Sequence, residues 1–255
     1  MSNTASLHGL EGFPLVRPGD DLAALVIHAL EKGLHRIAAG DVLVLAQKIV
    51  SKAENRYVDL AQVEPGAQAL ALARETGKDP RLVEVILGES SRVVRHAPNV
   101  LIVEHRLGFV MANAGVDRSN VDPAAGTEPV LLLPRDPDAS AALLRSRLEA
   151  HFGIAPSVII SDSFGRAWRR GTCGIAIGAA GLPSLIDLRG QPDLFGRTLE
   201  VSIIGFADEI AAAASLLQGQ AAEAQPVVVL RGLTWHAPDV PVADVVRPPE
   251  EDLFQ

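Results

Sequence analysis

Aromatic residues are scarce in this 255-residue chain: Phe, Trp and Tyr together make up 4%. A core must therefore come from Val, Leu, Ile and Ala, within a hydrophobic content of 48% that is ordinary for globular proteins and excludes general disorder. Cysteine is scarcer still. Cys173 stands alone, which excludes an internal disulfide framework and any multi-cysteine zinc site, and its simplest reading is a small core residue. No apolar run approaches the roughly 20 residues needed to span a bilayer. The polar Met1–His8 segment has no basic-then-apolar pattern, so no secretory signal and a cytoplasmic location are expected. Positive charge is in deficit, with 23 Lys and Arg against 31 Asp and Glu and a net charge of −8. A general nucleic-acid-binding surface needs the opposite balance. The common chemical signatures are missing too: no G-x-x-x-x-G-K-[ST], no G-x-G-x-x-G opening a helix, no G-x-S-x-G and no H-E-x-x-H.

What is there alternates between helical and extended patterns. Leu22–Ile37 carries Leu22, Leu25, Val26, Leu30 and Leu34 at helical spacing, with Asp20 and Asp21 as cap and first-turn acids. Asp41–Ala46 reads as a buried strand. Helical segments follow near Ala67–Thr76 and Pro80–Leu87, then paired strands at Val100–Val103 and Phe109–Ala112, and a polar loop at Asp122–Glu128. A helix over Asp138–Phe152 precedes a strand at Ser157–Ile160 and a glycine-rich stretch from Gly165 to Gly181. A strand near Leu199–Ile204, an alanine-rich helix at Asp208–Leu217, a strand at Val227–Leu230 and a surface-draped tail from Thr234 complete the chain. The irregular alternation predicts a mixed α/β or α+β fold. Its expected division is a disordered end at 1–8, a main region at 9–232 that accommodates two subdomains, and a tail at 233–255.

Polar clusters fall where apolar runs end. Asp162 and Ser163 follow a buried strand, and a carboxylate beside a hydroxyl suits a hard divalent cation, although both residue types also cap turns. Asp117 and Asn120 follow Phe109–Ala112 and offer a second ligand and a hydrogen-bonding amide, or simply a polar turn around Gly115. Gln47, Lys48, Ser51 and Lys52 leave another strand; the lysines suit phosphates as point charges or face solvent. Arg166, Arg169 and Arg170, with Trp168 among them, form the densest basic cluster and suit bidentate contacts with an anion or a local salt-bridge network. A glycine C-cap accounts for Gly219 but leaves Gln220 unexplained. Together these residues point to a metal–phosphate site, without naming the nucleotide or the acceptor.

The same segments resemble the coenzyme F420-0:L-glutamate ligases, GTP-dependent γ-glutamyl ligases of deazaflavin biosynthesis. The matching blocks are Gly12–Val16 with Gly19–Leu22, Val50–Glu54, Asn113–Asn120, Ser161–Arg166, Trp168–Gly171, Ala207–Ala213 and Pro226–Gly232. Their order and spacing hold from about Gly9 to Gly232. The resemblance implies an α+β fold with mixed sheets and flanking helices that forms an intertwined homodimer. It implies phosphorylation of a carboxylate of coenzyme F420-0 by GTP, attack by the amine of L-glutamate, and release of GDP and phosphate, with Mn²⁺ or Mg²⁺ required and a response to K⁺. Nucleic acid and membrane are not expected partners. Carried over by position, Phe13, Pro14, Leu15, Val16, Gln47, Lys48, Lys52, Asn120 and the segment Gln218, Gly219, Gln220, Ala221, Ala222, Glu223, Ala224 and Gln225 fall on GTP contacts. Asp117, Asp162, Ser163 and Gln220 fall on metal positions, and Lys52, Asp117 and Asp162 carry catalysis; Glu54 is a candidate base for the glutamate amine. Departures are Gln47-Lys48 where some members have small hydroxyl residues, Asn55 for a common glycine, Ser163 for threonine, and no room for an added flavin domain. The alternatives are a ligase for a different carboxylate acceptor and a nucleotide-binding protein without catalysis.

Overall fold

A computed structural model describes residues 4–33, 36–121 and 127–253. In chain order the first elements are β1 (Ser6–Gly9), α1 (Leu22–Lys32), β2 (Val42–Ala46), α2 (Gln47–Ala53), β3 (Tyr57–Asp59), α3 (Ala67–Thr76) and α4 (Pro80–Gly88). There follow β4 (Ser90–Ala97), β5 (Val100–His105), β6 (Val110–Ala112), β7 (Pro129–Leu131), α5 (Pro137–Phe152) and β8 (Ser157–Arg166). The last are β9 (Arg169–Ala180), β10 (Ile186–Asp187), β11 (Ile203–Ile204), α6 (Phe206–Gln218) and β12 (Val227–Arg231). The architecture is the expected mixed α+β.

A five-stranded sheet in the order β1-β12-β2-β8-β9 organises the molecule. Its one parallel pairing, β2 with β8, lies at the centre, and the others are antiparallel. Val42–Leu45 and Val227–Val229 are almost wholly inaccessible, which explains their unbroken apolar runs: both faces of these strands are covered. Val26 and Leu30 of α1 and Leu144 and Leu148 of α5 pack on one face; Ile210, Ala211 and Ala214 of α6 pack on the other. Each large aliphatic side chain so covered contributes about 1.5–3 kcal/mol against leaving it in water. Caps fix the starts of two of these helices. Asp21 accepts from Ala24 N at 3.1 Å to begin α1, and Asp136 accepts from Ala139 N at 3.0 Å, with Pro137 at the first turn of α5. A third buried cluster, with Leu60, Ile86, Leu101 and Val130, lies among α3, α4, β5 and the β3–β7 ladder.

Several elements differ from the sequence reading. Helix α1 ends at Lys32, five residues short of Ile37, and Leu34 lies outside the described residues, as do residues 122–126 of the polar loop. Residues 6–8 are not a disordered end: Ser6–Gly9 pairs with β12, whose edge supplies the hydrogen bonds. The strand expected at Ser157–Ile160 does not end there: β8 runs on to Arg166, and the glycine-rich stretch is its partner β9. The tail is anchored rather than draped. Val242 is buried, and the Asp138 carboxylate of α5 accepts from Ala179 N, Val242 N and Ala243 N. Among the described residues no helix is long and apolar enough to cross a membrane.

Glycines on β9 permit the helices to sit this close. A Cβ on Gly178 would lie 2.3 Å from the Pro137 carbonyl carbon, and one on Gly174 2.4 Å from the Ala211 carbonyl oxygen. Backbone cannot yield as a flexible side chain can, so Gly178→Ala is expected to destabilise the fold by about 2–3 kcal/mol, read as a lower urea midpoint at unchanged slope.

Candidate active site

The register of the parallel pair sets Ala46 opposite Ser161. Beyond that point the strands part. β2 turns directly into α2 at Gln47, while β8 continues through Asp162 and Ser163 beside β9. A cavity of about 1030 Å³ opens where they diverge.

Four elements bring the expected residues to it. Phe13, Pro14, Leu15 and Val16 line one part; Phe13 and Val16 are buried in the core, whereas Leu15 is 85% exposed. Gln47, Lys48 and Lys52 come from α2, where i, i+4 spacing sets the two lysines on one helical face. Gln47 is buried and accepts from Ser51 Oγ at 2.8 Å. Asp162 and Ser163 come from β8, and Gln218, Gly219, Gln220, Ala221, Ala222, Ala224 and Gln225 from the end of α6 and the loop behind it. Gly219 has φ +68°, and a Cβ there would meet the Glu223 side chain at 2.1 Å. Glu223 itself does not line the cavity; it accepts from Ala221 N at 2.8 Å and shapes the loop.

Asn120, with φ 55°, ties this loop to α2: its Nδ2 donates to Ala221 O at 3.1 Å, and its carbonyl accepts from Lys52 Nζ at 2.7 Å. Asp117 stands one step behind the cavity wall, against Lys48. Lys48 Nζ lies 2.7 Å from Asp117 Oδ2 and donates to Ser119 Oγ at 2.5 Å, while Asp117 accepts from Ser119 N and Oγ. A run of left-handed residues, Asn113, Ala114 and Gly115, delivers Asp117 to this position. A side chain on Gly115 would collide with Leu133 at 2.8 Å.

Glu54 is elsewhere. Its carboxylate accepts from Arg135 N at 2.9 Å and Ser140 Oγ at 2.6 Å near the start of α5, outside the cavity lining. Conversely, Tyr57, Asp59, Thr127, Pro129, Ser161 and Ser215 line the cavity without having been singled out. Ser161 adjoins the Asp162-Ser163 pair and was legible by proximity. Tyr57 and Asp59 carry no pattern that marks them.

The two carboxylates have opposite electrostatics. Burial pushes Asp162 up to about 6; the Ser163 N–H and the Lys48 charge oppose that, and the Asp117 charge adds to it. Burial also acts to raise Asp117, but its bonds to Lys48 and Ser119 outweigh the desolvation and hold it below the ordinary carboxylate value. Two carboxylates, a hydroxyl and an amide are all hard oxygen donors, which fits a small divalent cation. Among the described residues no group of three or more His, Cys, Asp or Glu could hold a metal alone, so the remaining positions would fall to water and phosphate oxygens, as Mg²⁺ prefers. The Lys48 ammonium on Asp117 would have to move aside.

A family model described as F420-0:Gamma-glutamyl ligase matches residues 12–232. Among curated proteins, the chain is 48% identical over 252 residues to the coenzyme F420:L-glutamate ligase of Methanothermobacter thermautotrophicus, covering 98% of each chain. It is 46% identical to the protein of that name from Methanopyrus kandleri, covering 96% of this chain and 97% of the relative. The corresponding Methanosarcina acetivorans protein is 37% identical over 96% of this chain and 93% of its own.

The raised Asp162 has a consequence for stability. Between the ordinary value of 3.8 and about 6 the folded protein keeps a proton that the unfolded chain has lost, so stability falls as pH rises through this window. Above it, the metal-free fold carries the full penalty. Asp162→Asn is therefore expected to raise the melting temperature of metal-free protein at pH 8 and leave it unchanged at pH 3, a contrast that thermal melts at the two values would check.

Proposed function

Because the chain belongs to the F420-0:gamma-glutamyl ligase family, and is thus a ligase, we propose that it joins L-glutamate to coenzyme F420-0 at the expense of GTP, through an acyl phosphate. The observation that carries the reading is the convergence of Lys48, Lys52, Asp162 and Ser163 on one cavity that also receives the loop after α6. In the proposed reaction the acceptor carboxylate attacks the γ-phosphorus and GDP leaves. The glutamate amine then attacks the acyl carbon, phosphate leaves with the carbonyl carbon's former oxygen partner, and the amine gives up a proton. No protein nucleophile is needed.

Lys48 and Lys52 bind and orient the phosphates as point charges, and Asn120 holds Lys52 against the Gln218–Gln225 loop. A divalent cation, Mn²⁺ or Mg²⁺, would be held by Asp117, Asp162, Ser163 and Gln220 and would offset charge on the transferring phosphoryl group. Desolvated Asp162 favours a cation over solvent as its partner. K⁺ as a further cation, and a homodimer as the working form, belong to the same proposal.

The test is mass spectrometry of coenzyme F420-0 incubated with protein, L-glutamate and Mn²⁺, with and without GTP. Added glutamyl units only with GTP are the expected result; none in either sample removes the reading. Lys48→Met is expected to lower turnover about 100-fold or more. The same variant should bind Mn²⁺ in the absence of nucleotide more tightly than the unaltered protein, measured by electron paramagnetic resonance, because the ammonium that occupies Asp117 is gone.

A further inference from the structure

The β8–β9 hairpin does not stop at the cavity. Asp162, Ser163 and Gly174 line the cavity, but Gly165 to Arg170 extend past its lining to a two-residue turn at Ala167-Trp168. Arg166 lies four residues beyond Asp162, about 13 Å along an extended strand. Three features of this tip have no part in the fold of the single chain. Trp168 is 89% exposed, the extreme opposite of an indole used for packing. It also occupies a left-handed conformation, φ 65°, at the turn position that glycine or asparagine normally fills. The Arg166 Nε is buried without a hydrogen-bond partner, and the guanidinium groups of Arg169 and Arg170 make no ion pair or hydrogen bond among the described residues. Three uncompensated guanidinium groups are conspicuous in a chain of net charge −8.

We infer that this tip is the subsite for the acceptor: Trp168 stacks on the flat deazaflavin ring, and Arg166, Arg169 and Arg170 neutralise the anionic part of the molecule that leads to the reacting carboxylate. The inference rests on the ligase reading above. An acceptor whose carboxylate must meet the phosphoryl group beside Asp162 needs its ring held at a distance, and the hairpin provides such a track, with metal-type ligands at one end and a cationic, aromatic platform at the other. Arginine suits the task because its planar fork pairs with anionic oxygens and itself stacks on rings. Exposed indole costs the free protein solubility and a strained turn residue; both have a purpose if a planar ligand covers the ring.

Direct binding of coenzyme F420-0, followed by its own fluorescence without GTP or glutamate, tests this on three variants. Trp168→Gly suits the turn conformation and removes only the ring; it should weaken binding about tenfold. Trp168→Phe should restore most of the affinity, and the Arg169→Gln/Arg170→Gln double variant should again lose about tenfold, with a weaker dependence on salt. GTP affinity should be unchanged in all three, and the melting temperature should fall in none. Unaltered coenzyme F420-0 affinity in the glycine and double-glutamine variants, or an equal loss of GTP affinity, would overturn the inference while leaving a catalytically active wild type and the ligase reading intact. Wild-type protein that neither binds nor glutamylates coenzyme F420-0 would remove both.

Discussion

The parallel pairing of β2 with β8 is the constraint on which the site depends. Parallel strands need cover on both faces, and here α1 and α5 supply it on one side and α6 on the other. Once Ala46 is opposite Ser161, the origin of α2 and the course of β8 are fixed relative to each other. Lys48 and Lys52 then follow from helical spacing, and Asp162 and Ser163 from the strand's continuation. Helix α6 is equally committed, because Gly174 admits the Ala211 carbonyl to the surface of β9. The loop carrying Gln220 leaves the end of a helix that has no freedom to slide. Stretches of chain far apart in sequence reach one cavity because the packed core positions them.

The cavity is where the structure accepts unfavourable local terms. Asn113 and Ala114 sit in left-handed conformations, and an alanine there costs of the order of 1 kcal/mol. Asn113 Oδ1 is buried without a partner, and Asp162 is desolvated. The surrounding core of aliphatic strands carries them, so Asp117 arrives next to Lys48 and Asp162 already formed rather than ordered by a ligand.

How much of this was legible follows from what each residue contributes to patterning. β2 and β12 were plain because doubly covered strands are unbroken apolar runs. The continuation of β8 was not, because Ser161, Asp162 and Ser163 interrupt the apolar pattern for the sake of the cavity, and only pairing with β9 keeps them extended. Helix α2 was hidden for a related reason. It starts from Ala46 with no side-chain cap and spans seven residues, too few for a period to emerge. β4 was missed because its residues are mostly exposed, and exposure on both sides leaves no alternation. The residues that line the cavity were more legible than the elements carrying them, since chemistry in ordered blocks survives a wrong reading of local structure. Glu54 shows the limit: it belongs to the same block as Lys52, yet a helix turn and the start of α5 draw its carboxylate away from the cavity.

The Lys48–Asp117 ion pair connects electrostatics to the order of events. At 2.7 Å and partly desolvated, the pair satisfies a carboxylate that would otherwise sit beside a second one. It is therefore an internal counter-ion for Asp117. A cation arriving alone would have to displace it with no new partner for the lysine, which leaves one charge uncompensated in a poorly solvated place. Under the proposed reading, a cation arriving with a polyphosphate would take the carboxylates while the lysine took the phosphate oxygens, so that every charge would exchange one partner for another.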